Sequence, residues 1–217
     1  TVIDGFKFMP VAVVTGSSSG IGKATACTLA SRGYDLIIHA RRNLNGLLST
    51  AQHIRSTYSR SVRCITCDIS DPRACENLVT SAFAWQSHVD AWINNAGFDV
   101  LTTSARSLSF EQKVKRLLEV DLLGTMRLSR AVGDRMTHQT NGTKPCIINI
   151  GWDQSALGME GDPGQMFCTV KSAVSAFTNS LALTLGPGIR VNTISPGWIQ
   201  TAWGSESASD YWTKRAT

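Results

Sequence analysis

Short β-branched runs alternate with longer stretches in which apolar residues return at helical spacing, and the alternation persists along the whole chain. Six strands are predicted: "VAVVT" (11–15), "DLIIHA" (35–40), "VRCITC" (62–67), "DAWIN" (90–94), "CIINI" (146–150) and "RVNTI" (190–194). Helices are predicted near 21–32, 43–57, 71–86, 109–136 and 165–185. In the last of these Phe167, Val170, Val174, Phe177, Leu181 and Leu185 share one face. Apolar strands separated by helices belong in a parallel sheet covered on both sides, with right-handed crossovers. The expected fold class is therefore α/β, a single doubly wound parallel sheet in a three-layer α/β/α arrangement. No repeat, linker or second domain interrupts it; residues 1–8 read as a tag or the end of an upstream segment, and 9–217 as one domain.

Composition narrows the function classes. The chain has 217 residues, 42% hydrophobic and 17% charged, which is globular and suffices for one core. Its longest apolar runs, such as "VAVV" and "LIIHA", fall far short of the roughly 18 residues of a membrane span, and the start lacks a charged-then-apolar leader. A soluble cytoplasmic protein is expected. The net charge of +5 is uneven: 17 Lys/Arg face 11 Asp/Glu as far as Lys144, then 4 face 5. Basic residues scattered without interleaved aromatics indicate a solvated surface and not a nucleic-acid stripe. Six cysteines lie mostly inside apolar segments. The lone Cys64-x-x-Cys67 pair, on a strand, points its thiols to opposite faces and has no second ligand pair, so buried free thiols are expected and no metal site. Asn141-Gly-Thr matches a glycosylation acceptor, which means little in a cytoplasmic chain.

The first strand runs directly into "TGSSSGIGKATACTLA", with Gly16, Gly20 and Gly22 at the entrance to a helix. Glycine suits a sharp strand-to-helix turn whose backbone must approach a pyrophosphate, and the helix N-terminus offers that anion free amides. The spacing is GxxxGxG; a Walker A loop fails because Ser17 stands at its first glycine and Ala24 follows Gly22-Lys23. Gly16, Ser18, Gly20, Ile21 and Gly22 are the candidate cradle. The second strand ends "HARRN", so Ala40, Arg41 and Arg42 occupy the place of a ribose-binding carboxylate. A guanidinium there favours a 2′-phosphate, which predicts NADP(H). The plainer alternative is two surface arginines closing a turn.

These residues resemble the short-chain dehydrogenase/reductase family over almost the whole chain. The resemblance is carried by "TGSSSGIG" (15–22), "CDIS" with Asp68, "NNAG" (94–97), the Lys171 helix and "RVNTISPGWIQT" (190–201). It implies a Rossmann-type fold and an NADP(H)-dependent oxidoreductase acting on a carbonyl, imine or conjugated double bond. By resemblance Asp68 holds the adenine, Asn94, Asn95, Ala96 and Gly97 line the adenosine ribose, and Pro196, Gly197, Ile199 and Thr201 flank the nicotinamide amide. Family members usually continue into a further helix and a seventh strand that pairs subunits, so a C-terminal strand is expected to be missing here. A homodimer or homotetramer through the 109–136 and 165–185 helices is also implied, and the loop after Thr201, with Trp203, Tyr211 and Trp212, falls where a substrate lid begins.

The resemblance implies four catalytic groups, and three are altered. Lysine is Lys171, which also binds the nicotinamide ribose; the tyrosine position holds Phe167, the serine position falls on Gly151-Trp152, and the asparagine position is Asp121. Losing a positioned acid costs about 10²–10⁴ in rate. The segment "GWDQSALGMEGDPGQMFC" supplies replacement candidates in Asp153, Glu160, Asp162 and Cys168. Asp153, beside a large indole, is the favoured acid, since burial disfavours a charged carboxylate; pterin-reducing relatives place an aspartate nearby while keeping the tyrosine. The alternative is a set of solvated loop acids that attract a cationic substrate. Asp121 opposite Lys171 reads as a partly buried ion pair. Three readings stay open: an oxidoreductase with an altered proton donor, an inactive NADP(H)-binding sensor, scaffold or partner subunit, and unrelated chemistry that uses the acidic loop.

Overall fold

The computed structural model describes residues 9–101, 103–140 and 142–199. Six strands form one sheet: β1 (Val11–Val14), β2 (Asp35–Ala40), β3 (Val62–Thr66), β4 (Ala91–Asn94), β5 (Cys146–Ile150) and β6 (Arg190–Ile194). Every pairing is parallel, in the order β3-β2-β1-β4-β5-β6, which is the Rossmann-type doubly wound arrangement. The order reverses between β1 and β4, so a crevice opens there at the carboxyl ends of the strands.

Alternation within the strands sorts the helices into layers. Ala12 and Val14 of β1, Leu36 and Ile38 of β2 and Ile93 of β4 pack with α1 (Gly20–Ser31) and α2 (Leu44–Tyr58) through Ala26, Ala30, Leu47 and Ile54. Val11, Val13, Ile37, Trp92 and Ile147 point to the opposite face, where α3 (Pro72–Gln86), α5 (Thr125–Thr137) and α6 (Gly161–Leu185) supply Leu78, Leu128 and Leu181. The helix predicted at 109–136 is three pieces: α4 (Phe110–Leu117), a π-helical turn (Leu118–Gly124) and α5. Capping explains where some helices start. Asp71 accepts from the amide of Arg73 at 2.9 Å ahead of Pro72, and Ser109 with Gln112 forms a reciprocal capping box before α4.

A chain of neutral polar groups crosses the second core. Trp92 Nε1 donates to Asn94 Oδ1 at 2.8 Å, and Asn94 Nδ2 donates to Ser129 Oγ and Asn149 Oδ1, each at 2.9 Å. Asn149 Nδ2 continues to Thr178 Oγ1 at 2.9 Å, which donates to the carbonyl of Val174 at 2.7 Å. Each donor finds an acceptor, so the network fastens β4, β5, α5 and α6 without stranding a buried polar group.

The thiols differ from expectation in degree. All six cysteines are free, but only Cys75 is buried and the other five are half-buried. Cys64 packs on the α1/α2 side and Cys67 on the other, because β3 exposes its two faces to different layers. No helix among the described residues is long and apolar enough to cross a membrane.

Candidate active site

The glycine turn is closed sterically as well as conformationally. Gly16 has φ +66°, and a Cβ there would stand 2.8 Å from Ala96 Cα. Gly22 is tighter, since a Cβ would fall 2.2 Å from the Gly16 carbonyl oxygen and 2.4 Å from Asn95 Nδ2. Asn95 Nδ2 donates to the carbonyls of Thr15 at 2.9 Å and Gly16 at 3.1 Å, while Thr15 Oγ1 accepts from the amides of Asn95 and Ala96. The β4 end therefore braces the β1 turn across the switch point. α1 begins at Ser19, whose side chain makes no capping bond, so the first-turn amides have no side-chain acceptor there.

His39 supports the same turn from β2. The amide of Gly16 donates to its Nδ1 at 3.3 Å, which leaves the proton on Nε2 to donate to the Cys67 carbonyl at 3.1 Å. Burial depresses its basicity more than the Cys67 carbonyl and Asp68 raise it, so the imidazole stays neutral further into acid than usual. Beyond it, Arg41 and Arg42 are exposed, and Arg41 Nη1 lies 3.8 Å from Asp68 Oδ2. Burial opposes ionisation of Asp68, but hydrogen bonds from the Ser70 hydroxyl and amide, with Arg41 and Arg116, outweigh it and hold this carboxyl below its usual range. So loose and half-exposed a pair contributes under about 1 kcal/mol, which leaves Arg41 able to turn to another anion.

A cavity of about 430 Å³ runs from this turn across the carboxyl ends of β4, β5 and β6. At one end it takes in Ser19, Gly20, Ile21, Gly22, Asn95 and Gly97, and at the other Lys171, Pro196, Gly197 and Ile199. Ser18, half-buried, belongs to the turn itself, with its carbonyl against Gly46 of α2. Arg41, Arg42 and Asp68 lie outside the lining, at the ends of β2 and β3. Thr201 lies outside the described residues, as do residues 1–8, Trp203, Tyr211 and Trp212.

Lys171 and Asp121 meet in the cavity wall. Lys171 Nζ is 3.0 Å from Asp121 Oδ2 and donates to the Ile150 carbonyl at 3.1 Å. Asp121 sits on the π-helical turn with its side chain 2% exposed, and its Oδ1 accepts from the Phe98 amide at 2.8 Å. A π-helical turn inserts a residue and redirects side chains, a device often found at functional positions. Gly97 makes room for the carboxylate, since a Cβ would stand 2.8 Å from Asp121 Oδ2. With ammonium and carboxylate both hydrogen-bonded, the charges are matched inside the wall.

Apart from half-buried Asp99, the remaining wall is aromatic and apolar. Phe167 on α6 packs against the cluster of Val100, Leu117, Met166 and Val170. Trp152, at the end of β5, meets Phe167 edge-on with centroids 6.0 Å apart, and meets Trp198 in the same manner at 6.1 Å. Among the described lining residues the one hydroxyl is Ser19, at the glycine-turn end. Asp153 lines no part of the cavity: it is exposed on a short 3-10 turn (Asp153–Ser155), with Oδ2 against Gly197, where a Cβ would come within 2.9 Å. The burial on which the favoured-acid reading of Asp153 depends is not present. Glu160 and Asp162 are exposed too, and the Cys168 thiol donates to the Gln154 carbonyl at 3.4 Å.

Several contributors escape sequence reading. His39 lies within the quoted "HARRN", yet only contact with Gly16 across strands reveals its part. Trp198 and Asp99 line the cavity from loops, where no periodicity marks them. Thr15 stands inside "TGSSSGIG", its hydroxyl acting between strands.

Comparison with known proteins agrees with this geometry. The family model described as short chain dehydrogenase matches residues 10–212. The short-chain reductase protein NovJ of Streptomyces niveus is 36% identical over 203 residues, covering 91% of this chain and 72% of that protein. A short chain dehydrogenase from Burkholderia cenocepacia, solved in complex with NADP, superposes with TM-score 0.82 at 26% identity, covering 95% of this chain and 81% of the other. A 3-oxoacyl-[acyl-carrier protein] reductase from Brucella melitensis, solved with NAD, gives TM-score 0.83 at 26% identity over 95% and 80%. With four motifs at the right strand ends, Lys171 on α6 and a family match over nearly its whole length, the chain belongs to the short-chain dehydrogenase family of oxidoreductases.

Proposed function

We propose that this protein is an NADP(H)-dependent oxidoreductase that reduces a C=O, C=N or C=C bond without a phenol or serine hydroxyl over the substrate. The observation that carries the reading is the cavity lining: a glycine turn shaped for a pyrophosphate at one end, and Phe167 with Trp152 at the other, where the family places tyrosine and serine. The turn residues fit the dinucleotide because Gly16, Gly20 and Gly22 leave a cradle that a Cβ would obstruct at Gly16 and Gly22. Gly20, Ile21 and Gly22 would hold the pyrophosphate, Asp68, Arg41, Asn95 and Gly97 the adenosine end, and Lys171, Pro196, Gly197 and Ile199 the nicotinamide side. Two of the structures cited above hold NADP and NAD respectively, so the choice rests on Arg41 and Arg42, which offer cations and no carboxylate to a 2′-phosphate.

When bound, the reduced dinucleotide supplies a hydride. This chain binds and orients: Lys171 is anchored by Asp121 and steered by the Ile150 carbonyl, while the aromatic wall excludes water. Asp153 serves as acid only if the loop around Gly197 moves. That no described residue places a hydroxyl at the substrate end equally favours a second reading, a dinucleotide-binding protein without turnover. Calorimetry with NADPH and NADH, followed by NADPH consumption at 340 nm across ketones, imines and enones, separates them. Uptake with turnover supports the enzyme, uptake without turnover supports the second reading, and no uptake defeats both.

A further inference from the structure

The substrate end of the cavity has a chemistry of its own. Trp152 is inclined 66° to Phe167 and 89° to Trp198, so the three rings form a corner and not a parallel slot. Rings carry negative potential on their faces, and inclined rings around one space suit a positive charge better than a neutral plane. Charge nearby has the matching sign. Half-buried Asp99 lines the same cavity, Asp153 and Glu160 are exposed on the segment that joins β5 to α6, and Asp162 is exposed in the first turn of α6. Among the described lining residues the one cation, Lys171, is already balanced by Asp121 at 3.0 Å, so it does not repel a second positive group.

We infer that the corner of Trp152, Phe167 and Trp198 accepts a preformed iminium ion, a C=N bond already carrying positive charge within a flat amine skeleton. The inference rests on the NADP(H) reading and adds the substrate class. Its chemistry closes without the missing groups. The hydride's electron pair forms the new C–H bond, the C=N π pair becomes the nitrogen lone pair, the cation becomes a neutral amine, and the dinucleotide is oxidised. No proton is consumed. A ketone would need the same hydride and also a proton for its alkoxide, and among the described residues the corner of Trp152, Phe167 and Trp198 offers no hydroxyl to give it.

The test uses the whole protein. NADPH and NADP⁺ are first titrated by calorimetry; no uptake of either refutes the cofactor reading. With the redox-inert 1,4,5,6-tetrahydro-NADP bound, whose ring is neutral like that of NADPH, N-methyl-3,4-dihydroisoquinolinium is then compared with 1-tetralone, a neutral ketone of the same outline. The cation is expected to bind about tenfold more tightly. Trp152→Leu and Trp198→Leu should each erase most of that difference, and Trp152→Phe, which keeps a ring, should keep part of it. With NADPH, the cation should be reduced at a rate flat between about pH 6 and pH 9, since no proton enters the step. Equal affinities in a protein that does take up the cofactor overturn the inference alone, and so does a rate that climbs with acidity.

Discussion

The two ends of the cleft are built in opposite ways. At the dinucleotide end, backbone amides, Asn95, Thr15 and His39 meet at 2.9–3.3 Å around glycines that tolerate no side chain. At the substrate end, rings touch edge-on at about 6 Å and the nearest charged pair is turned into the wall. Hydrogen bonds fix distance and direction, whereas aromatic packing fixes shape and tolerates variation. One ligand's form is therefore specified atom by atom, and the other's mainly by outline and charge.

The seam between the halves should be the most sensitive point. Asp121→Ala would leave Lys171 without its carboxylate and the Phe98 amide without an acceptor, and should cost about 3–5 kcal/mol in urea unfolding. Asp121→Asn, which still accepts from that amide, should lose less. Gly22→Ala tests the closed end: its Cβ would meet the Gly16 carbonyl and Asn95, so about 3 kcal/mol of destabilisation is expected, with loss of NADPH uptake by calorimetry. The equivalent small change in the open end, Phe167→Leu, should be much milder in both measurements. Arg41→Ala should weaken NADPH binding by about 1.5–3 kcal/mol and leave NADH binding nearly unchanged, if the guanidinium leaves Asp68 for the 2′-phosphate.

Phe167→Tyr probes the open end from the other direction. With Trp152 packed against that ring, ketone reduction should rise less than about tenfold. A larger gain would show that the indole leaves the family's carbonyl site free. The smallest effect concerns His39. Its folded-state pKa lies below its unfolded value, so the unfolded chain takes up a proton that the folded chain refuses. Its contribution is fully present above about pH 6.5 and is lost as pH falls through and below that value. Urea midpoints measured from pH 7.5 down to pH 5 should decline, and His39→Gln should flatten the decline.

Much of the closed end was legible because its signals are local. Strands 35–40, 146–150 and 190–194 stand where β-branched runs place them, and the glycine turn follows β1 directly. The open end was less legible for physical reasons. A period of 3.6 residues does not register one inserted residue, so 109–136 read as one helix although "LEVDLLG" forms a π-helical turn. α6 starts at Gly161 and not at 165 because Pro163 is tolerated in a first turn, where its missing amide has no partner to lose. Asp153 rests against Gly197, 44 positions away, and stays exposed, a placement that no neighbouring residue announces.

The polar chain from Trp92 through Asn94, Ser129 and Asn149 to Thr178 contains no member that gains or loses a proton in water near neutrality. It anchors β4 and β5, whose ends reach the two halves of the cleft, and α6, which carries Lys171. The backbone of α6 is therefore fastened to β4 and β5 by links that acidity does not touch, while the Lys171 ammonium itself rests on the Asp121 carboxylate. Acid can unsettle the turn through His39, yet the spacing between the strands of the nucleotide seat and the helix behind the lysine is set by amides and hydroxyls that are indifferent to it.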